Sequence, residues 1–142
     1  MKPVKKLSKL SGYLERFSIP GTQSNFTTNG SDATHRLNSA SGTQLVISRP
    51  ELQHSGPFHD SIDAVIFILE KELGNGGTPQ RYNERYNYLS SLVEQVIDAV
   101  ERSTDGTCSS ALSGLELSGF SVTPETSIFG GWFGWSIELN FE

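Results

Sequence analysis

Apolar positions along the chain change period several times, and each change predicts an element. Leu7, Leu10, Leu14 and Phe17 recur at spacings of three, four and three, with the lysines and Glu15 off that line. Such spacing marks one face of an amphipathic helix, predicted over residues 4–17 and stopped by Pro20–Gly21. Residues 21–43 are rich in Ser, Thr, Asn and Gly and nearly free of aliphatic side chains. A stretch of that kind buries too little apolar area to offset its chain entropy. It reads as a mobile arm that orders only against a partner, with a plain disordered loop as an equal alternative. Gln44–Arg49 reads as a strand ended by Pro50, and residues 54–59 as a turn.

Residues 62–71 (IDAVIFILEK) fit two elements. A helix capped by Asp60 and ended at Gly74 would be apolar around its whole circumference. A strand would be apolar on both faces, which suits a central strand covered from two sides, and the strand is preferred. After a flexible turn at 74–77, Thr78 and Pro79 supply an N-cap and a first helical position. The stripe Tyr82, Tyr86, Leu89, Leu92, Val93, Val96 and Val100 then predicts a helix over 79–102, closed by Asp105–Gly106. Leu115, Leu117, Phe120 and Val122 alternate with a slip near Gly119 that implies a bulge. Phe133, Trp135, Ile137, Leu139 and Phe141 alternate strictly with smaller or polar residues, the signature of a strand with one buried face. The order is helix, polar arm, strand, strand, long helix, strand, strand: one α+β domain over 1–142, with an N-terminal helical segment (1–20), an arm (21–43) and a core (44–142).

Charge changes this picture more than composition does. Residues 1–16 carry five basic side chains against one acid, a net of +4, while the remaining 126 residues carry 6 basic and 15 acidic, a net of −9. So acidic a body repels phosphate and makes a poor nucleic-acid clamp. The lysines at the amino end read as a solvated terminus, ahead of contact with an acidic partner or DNA. The single cysteine, Cys108, permits neither an internal disulfide nor a cysteine metal knuckle and reads as an unremarkable thiol. No apolar segment follows the basic terminus as in a secretory signal, and the longest apolar run, Ala64–Leu69, is too short for a bilayer. A soluble protein made in a reducing compartment is the expectation, with no membrane partner.

The search for catalytic chemistry is mostly negative. His35, His54 and His59 lack metal-ligand spacing and read as surface residues. No Gly-rich stretch leads into a Lys-Ser/Thr pair, and no GxSxG elbow occurs. Catalytic residues, metals and cofactors are therefore expected to be absent, and the protein is expected not to be an enzyme. The segment Ile128–Trp135 (IFGGWFGW) sets four aromatics among glycines, a composition common at interface hot spots. Trp135 lies in phase with the buried face of the last strand, whereas Trp132 lies out of phase and is the stronger interface candidate. The full set of interface candidates is Leu10, Leu14, Phe26, Phe129, Trp132 and Phe133.

This element order, with LVISRPEL, DAVIFILEKE, RYNERYNYLSSLVEQVIDAVERS and the closing GWFGWSIELNFE, resembles small tail-terminator and neck (head-tail joining) proteins of tailed bacteriophages over residues 44–142. The resemblance implies a mixed, mostly antiparallel sheet of about four strands with the long helix packed on one face. It also implies a homo-oligomeric ring, commonly a hexamer, at the head-proximal end of the tail, made in the host cytoplasm and resident in the virion. Its partners would be its own copies, the tail tube protein and neck or connector proteins, with DNA passing through the lumen without specific binding. A head-completion or connector protein of the same region and a non-viral intracellular binding module are the alternatives.

Overall fold

A computed structural model describes residues 2–54, 60–104 and 110–142. Three helices and six strands follow one another as α1 (Pro3–Glu15), β1 (Gln23–Thr27), α2 (Gly30–Leu37), β2 (Gln44–Ser48), β3 (Glu51–His54), β4 (Asp60–Lys71), α3 (Pro79–Ser103), β5 (Leu117–Ile128) and β6 (Trp132–Phe141), with a short 3-10 turn at Gly74–Gly76. All six strands join one sheet in the order β1-β2-β4-β6-β5, with β3 also paired to β4. Among the described residues only β1 and β2 run parallel, and every other pair is antiparallel. The fold is α+β, as expected, but with two strands and one helix more than the pattern of the sequence implies.

β4 is the axis of the sheet and is apolar on both faces, as the strand reading of 62–71 requires. Ile62, Ala64, Ile66 and Ile68 enter the main core together with Leu10 and Leu14 of α1 and Leu89, Val93 and Val96 of α3. Phe67 and Leu69 point the other way, toward Ala33 and Leu37 of α2 and toward Trp132. Beside β4, the β2–β3 segment forms one interrupted strand. Gln44 pairs with Leu69, whereas beyond Pro50, Glu51 pairs with Asp63, so one extra residue is accommodated at the break. Proline cannot donate to a ladder, and Ser48 bridges the gap instead: its hydroxyl accepts from Val65 N (3.2 Å) and donates to Val65 O (3.1 Å).

α3 starts as its sequence dictates. Thr78 Oγ1 accepts from Arg81 N at 3.2 Å, and Pro79 occupies the first helical turn, satisfying one of the amides a helix start leaves unpaired. Across the helix, Tyr82 and Tyr86 meet Phe133 ring to ring at 4.9 and 5.2 Å. Arg85 grips the Glu70 carboxylate with both guanidinium edges, Nε to Oε1 at 2.7 Å and Nη2 to Oε2, tying α3 to the end of β4. That bond raises the pKa of Arg85.

Residues 21–43 are not an arm but β1 and α2, and this is the largest correction to the reading of the sequence. Two polar devices hold the segment. Asn25 Nδ2 donates to Gln44 Oε1 (3.1 Å) and Leu45 O (3.0 Å), and the fully buried Gln44 donates to Ser41 O (2.8 Å). At the start of α2, Asn29 Oδ1 accepts from Asp32 N (2.9 Å), while Asp32 accepts from Thr28 N (3.0 Å) and from Arg36 Nε (3.1 Å). These bonds, led by the one from Thr28, lower the pKa of Asp32. Hydrogen-bonded side chains thus supply the order that aliphatic residues supply elsewhere. The expected closure of α3 at Asp105–Gly106 and the turn at 55–59 lie outside the described residues.

Candidate assembly surface

With the fold in place, the six interface candidates separate into two groups. Leu10, Leu14 and Phe133 are at most 1% exposed inside the main core. Trp132 is 2% exposed inside the second core, against Ala33, Leu37, Val46 and Leu69. These four side chains are sealed within their own chain, so as contact residues they are corrected to core residues. Trp132 is out of phase with Phe133 because it points to the opposite face, and α2 is what covers it there. Phe26 and Phe129 remain half-buried. Phe129 stacks edge-on against Phe67 at 5.0 Å, and Phe26 carries the Arg49 guanidinium 4.8 Å above its ring. Trp135, expected as a core residue, is half-buried; its indole N–H donates to Tyr86 O at 3.0 Å and its ring meets the Tyr86 ring at 5.6 Å.

Besides Val4 on α1 and Tyr88 on α3, two exposed apolar residues that the sequence did not single out as contacts lie on β5. Phe120 and Val122 are 45% and 38% exposed. They pair with Leu139 and Ile137 of β6, so they share the α3 side of the sheet yet lie beyond the width that one helix covers. The signal was present as alternation, but alternation alone does not tell a buried face from one left open at an edge. β5 is the outer strand on one side of the sheet; on the other side the outer strands are β1, beside β2, and β3, which pairs only with β4. The expected bulge is real: Leu117 pairs with Phe141 but Gly119 with Asn140, leaving Ser118 extra.

The second face of the sheet divides into two halves. α2 covers one half through the Trp132 cluster. Over the other half Asp63, Ser121, Glu125, Ser136, Glu138 and Asn140 line the sheet without any helix above them among the described residues, and β4, β5 and β6 contribute no Lys or Arg there. Ser136 Oγ donates to Glu125 Oε1 at 2.9 Å. The opposite charge collects elsewhere. Lys9, Arg16 and Arg102 line an open cleft of about 850 Å³ between α1 and the end of α3, together with Tyr13 and Ser103. Lys9 Nζ is tied to Ser113 O at 2.7 Å, and Tyr13 OH accepts from Ser103 Oγ at 2.9 Å. Burial raises the pKa of Tyr13.

Among the described residues no group of three or more His, Cys, Asp or Glu is placed to hold a metal ion. His35 is exposed on α2, and His54 Nδ1 meets Asp60 Oδ1 at 2.5 Å where β3 and β4 pair. His59 and Cys108 lie outside the described residues. No described helix is long and apolar enough to cross a membrane. Compared with known proteins, the chain matches no family model and no curated protein.

Proposed function

We propose that the chain is a virion structural protein, a tail terminator that forms a ring at the head-proximal end of a phage tail, caps the tube and joins it to the head. The observation that carries this reading is the half of the second sheet face that no helix covers among the described residues, acidic and given no Lys or Arg by β4, β5 or β6, in a molecule whose sheet is open at both ends of its strand order. A lumen that DNA must traverse without sticking needs such a surface, because tight phosphate contacts require Lys or Arg. Closed rings need two different complementary surfaces on each copy, and two unlike sheet edges supply them. The order of elements over residues 44–142, read as resembling that of tail-terminator and neck proteins, suggests the same assignment. Electron microscopy and native mass spectrometry of the purified protein test it. Rings with a central opening of DNA width are expected, and a strict monomer at high concentration that fails to assemble on added tail tubes refutes it.

The cleft lined by Lys9, Arg16 and Arg102 favours a second reading, a module that binds an anionic ligand. In that case the same measurements return a monomer at every concentration.

A further inference from the structure

We propose that the ring closes by sheet addition, with the outer edge of β5 in one copy taking β1 of the next copy as an antiparallel neighbour. This rests on the ring assignment and specifies its contact.

Four observations select the two edges. β5 and β1 are the two ends of the strand order, with no further strand beyond either among the described residues, and the other strand with a single neighbour, β3, has only four residues. Their usable lengths match: β5 runs in unbroken register without a proline only from Gly119 to Thr123, between the bulge at Ser118 and Pro124, and β1 spans five residues, Gln23–Thr27. Their apolar faces match as well. Phe26 pairs with Ile47 on the α1/α3 side of the sheet, the side on which Phe120 and Val122 stand exposed. Finally, the two ends of the sheet differ in charge: Arg49 sits over Phe26 beside β1, whereas β5 and β6 carry no Lys or Arg and hold Glu125 and Glu138 on the face opposite to Phe120 and Val122.

Direction follows from symmetry. Within one copy β1 and β2 run one way, β4 the other, β6 with β2, and β5 with β4. Rotation about an axis roughly along the strands carries β1 of the next copy in unchanged direction to β5, where the two meet antiparallel. The same rotation keeps α1 and α3 on one side of the continuous sheet and the acidic half-face on the other. Main-chain hydrogen bonds supply the joint, and the apolar pairs across it set the register.

Two variants test the joint. Val122→Lys places a charge on the β5 edge while its aliphatic stem still lies along the sheet, and Phe26→Lys does the same on the β1 edge. By native mass spectrometry each variant alone is expected to lose the ring and run as a monomer, with the far-ultraviolet circular dichroism of a folded chain. Mixed, they are expected to give a 1:1 dimer and nothing larger, because each retains the edge that the other lacks. Rings that persist in Val122→Lys overturn the sheet-addition contact and leave the ring assignment standing, and so does a mixture that stays monomeric. A monomeric parent protein removes the ring assignment itself. Where Phe26→Lys fails to fold, the state of Val122→Lys decides alone.

Discussion

Replacing Gly134 with alanine probes the packing of the sheet at its tightest point. Gly134 has φ +151°, a conformation L side chains rarely adopt, and it lies opposite Leu69 of β4. A Cβ at this position would stand 2.0 Å from Ile68 O, 3.0 Å from Ile68 C and 3.2 Å from Leu69 Cα. All three are backbone atoms of the central strand, so no rotamer change relieves the overlap and β4 and β6 must separate. Overpacking costs about 1–3 kcal/mol, and a backbone conformation reserved almost to glycine adds on the order of 1–2 kcal/mol. The total of about 2–5 kcal/mol corresponds to a fall of roughly 6–15 °C in melting temperature for a chain of this size. Thermal unfolding followed by circular dichroism at fixed concentration measures it. Gly12→Ala is the control, since nothing lies within 4 Å of its added Cβ and it sits inside α1; it should melt at or slightly above the parent. A Gly134→Ala protein melting within about 2 °C of the parent would show that the two strands are not in this close contact.

The two tryptophans should rank by burial. Trp132→Ala, which empties the second core, is expected to cost about 3–5 kcal/mol. Trp135→Ala, half-buried and losing one bond to Tyr86 O, should cost about 2 kcal/mol; urea titration giving the reverse order would overturn the placement of the two faces. Acid should loosen α2. The pKa of Asp32 is held below its ordinary value of 3.8, first by the Thr28 amide and then by Arg36. Its contribution is therefore fully present above that value and lost as pH falls through the lower folded one. Stability of the parent relative to Asp32→Asn, measured by urea unfolding from pH 6 to pH 2.5, should shrink below about pH 3.8; a constant difference across that range refutes the capping role.

Apolar periodicity made the main core legible, and polar order hid the rest. The stripe on α3, the strand at β4 and the alternation of β6 are each carried by aliphatic and aromatic side chains, and each was found where expected. β1 and α2 are not legible because their anchors are Asn25, Gln44, Asn29 and Asp32, residues whose composition reads as loop. That single omission propagates to Trp132: without α2 no partner for its side chain is legible, and it reads as an interface residue. Trp135 lies on the α3 face as its phase implies, but near the margin of the helix, where it is half-buried. Only Ala33 and Leu37, spaced by four, hinted that a helix lay in the polar stretch.

The β5 edge shows how a sheet can stay open for one partner and closed to others. Long, flat, apolar edges template indiscriminate pairing. β5 spans twelve residues, yet the extra residue at Ser118 twists one end of it, Pro124 removes a donor near the other, and a second register shift follows between Glu125 and Ile128. What remains accessible is a window of five residues carrying Phe120 and Val122. If that window served only to complete a monomer, Ser or Thr at both positions would fill it at lower risk of aggregation. Removing the guard should therefore separate specific from indiscriminate pairing: Pro124→Val lengthens the open edge on the α3 side of the sheet without touching the window. Dynamic light scattering should then show large, polydisperse particles beside the ring. An unchanged, sharp ring population in this variant would mean that the proline has no role in limiting the edge.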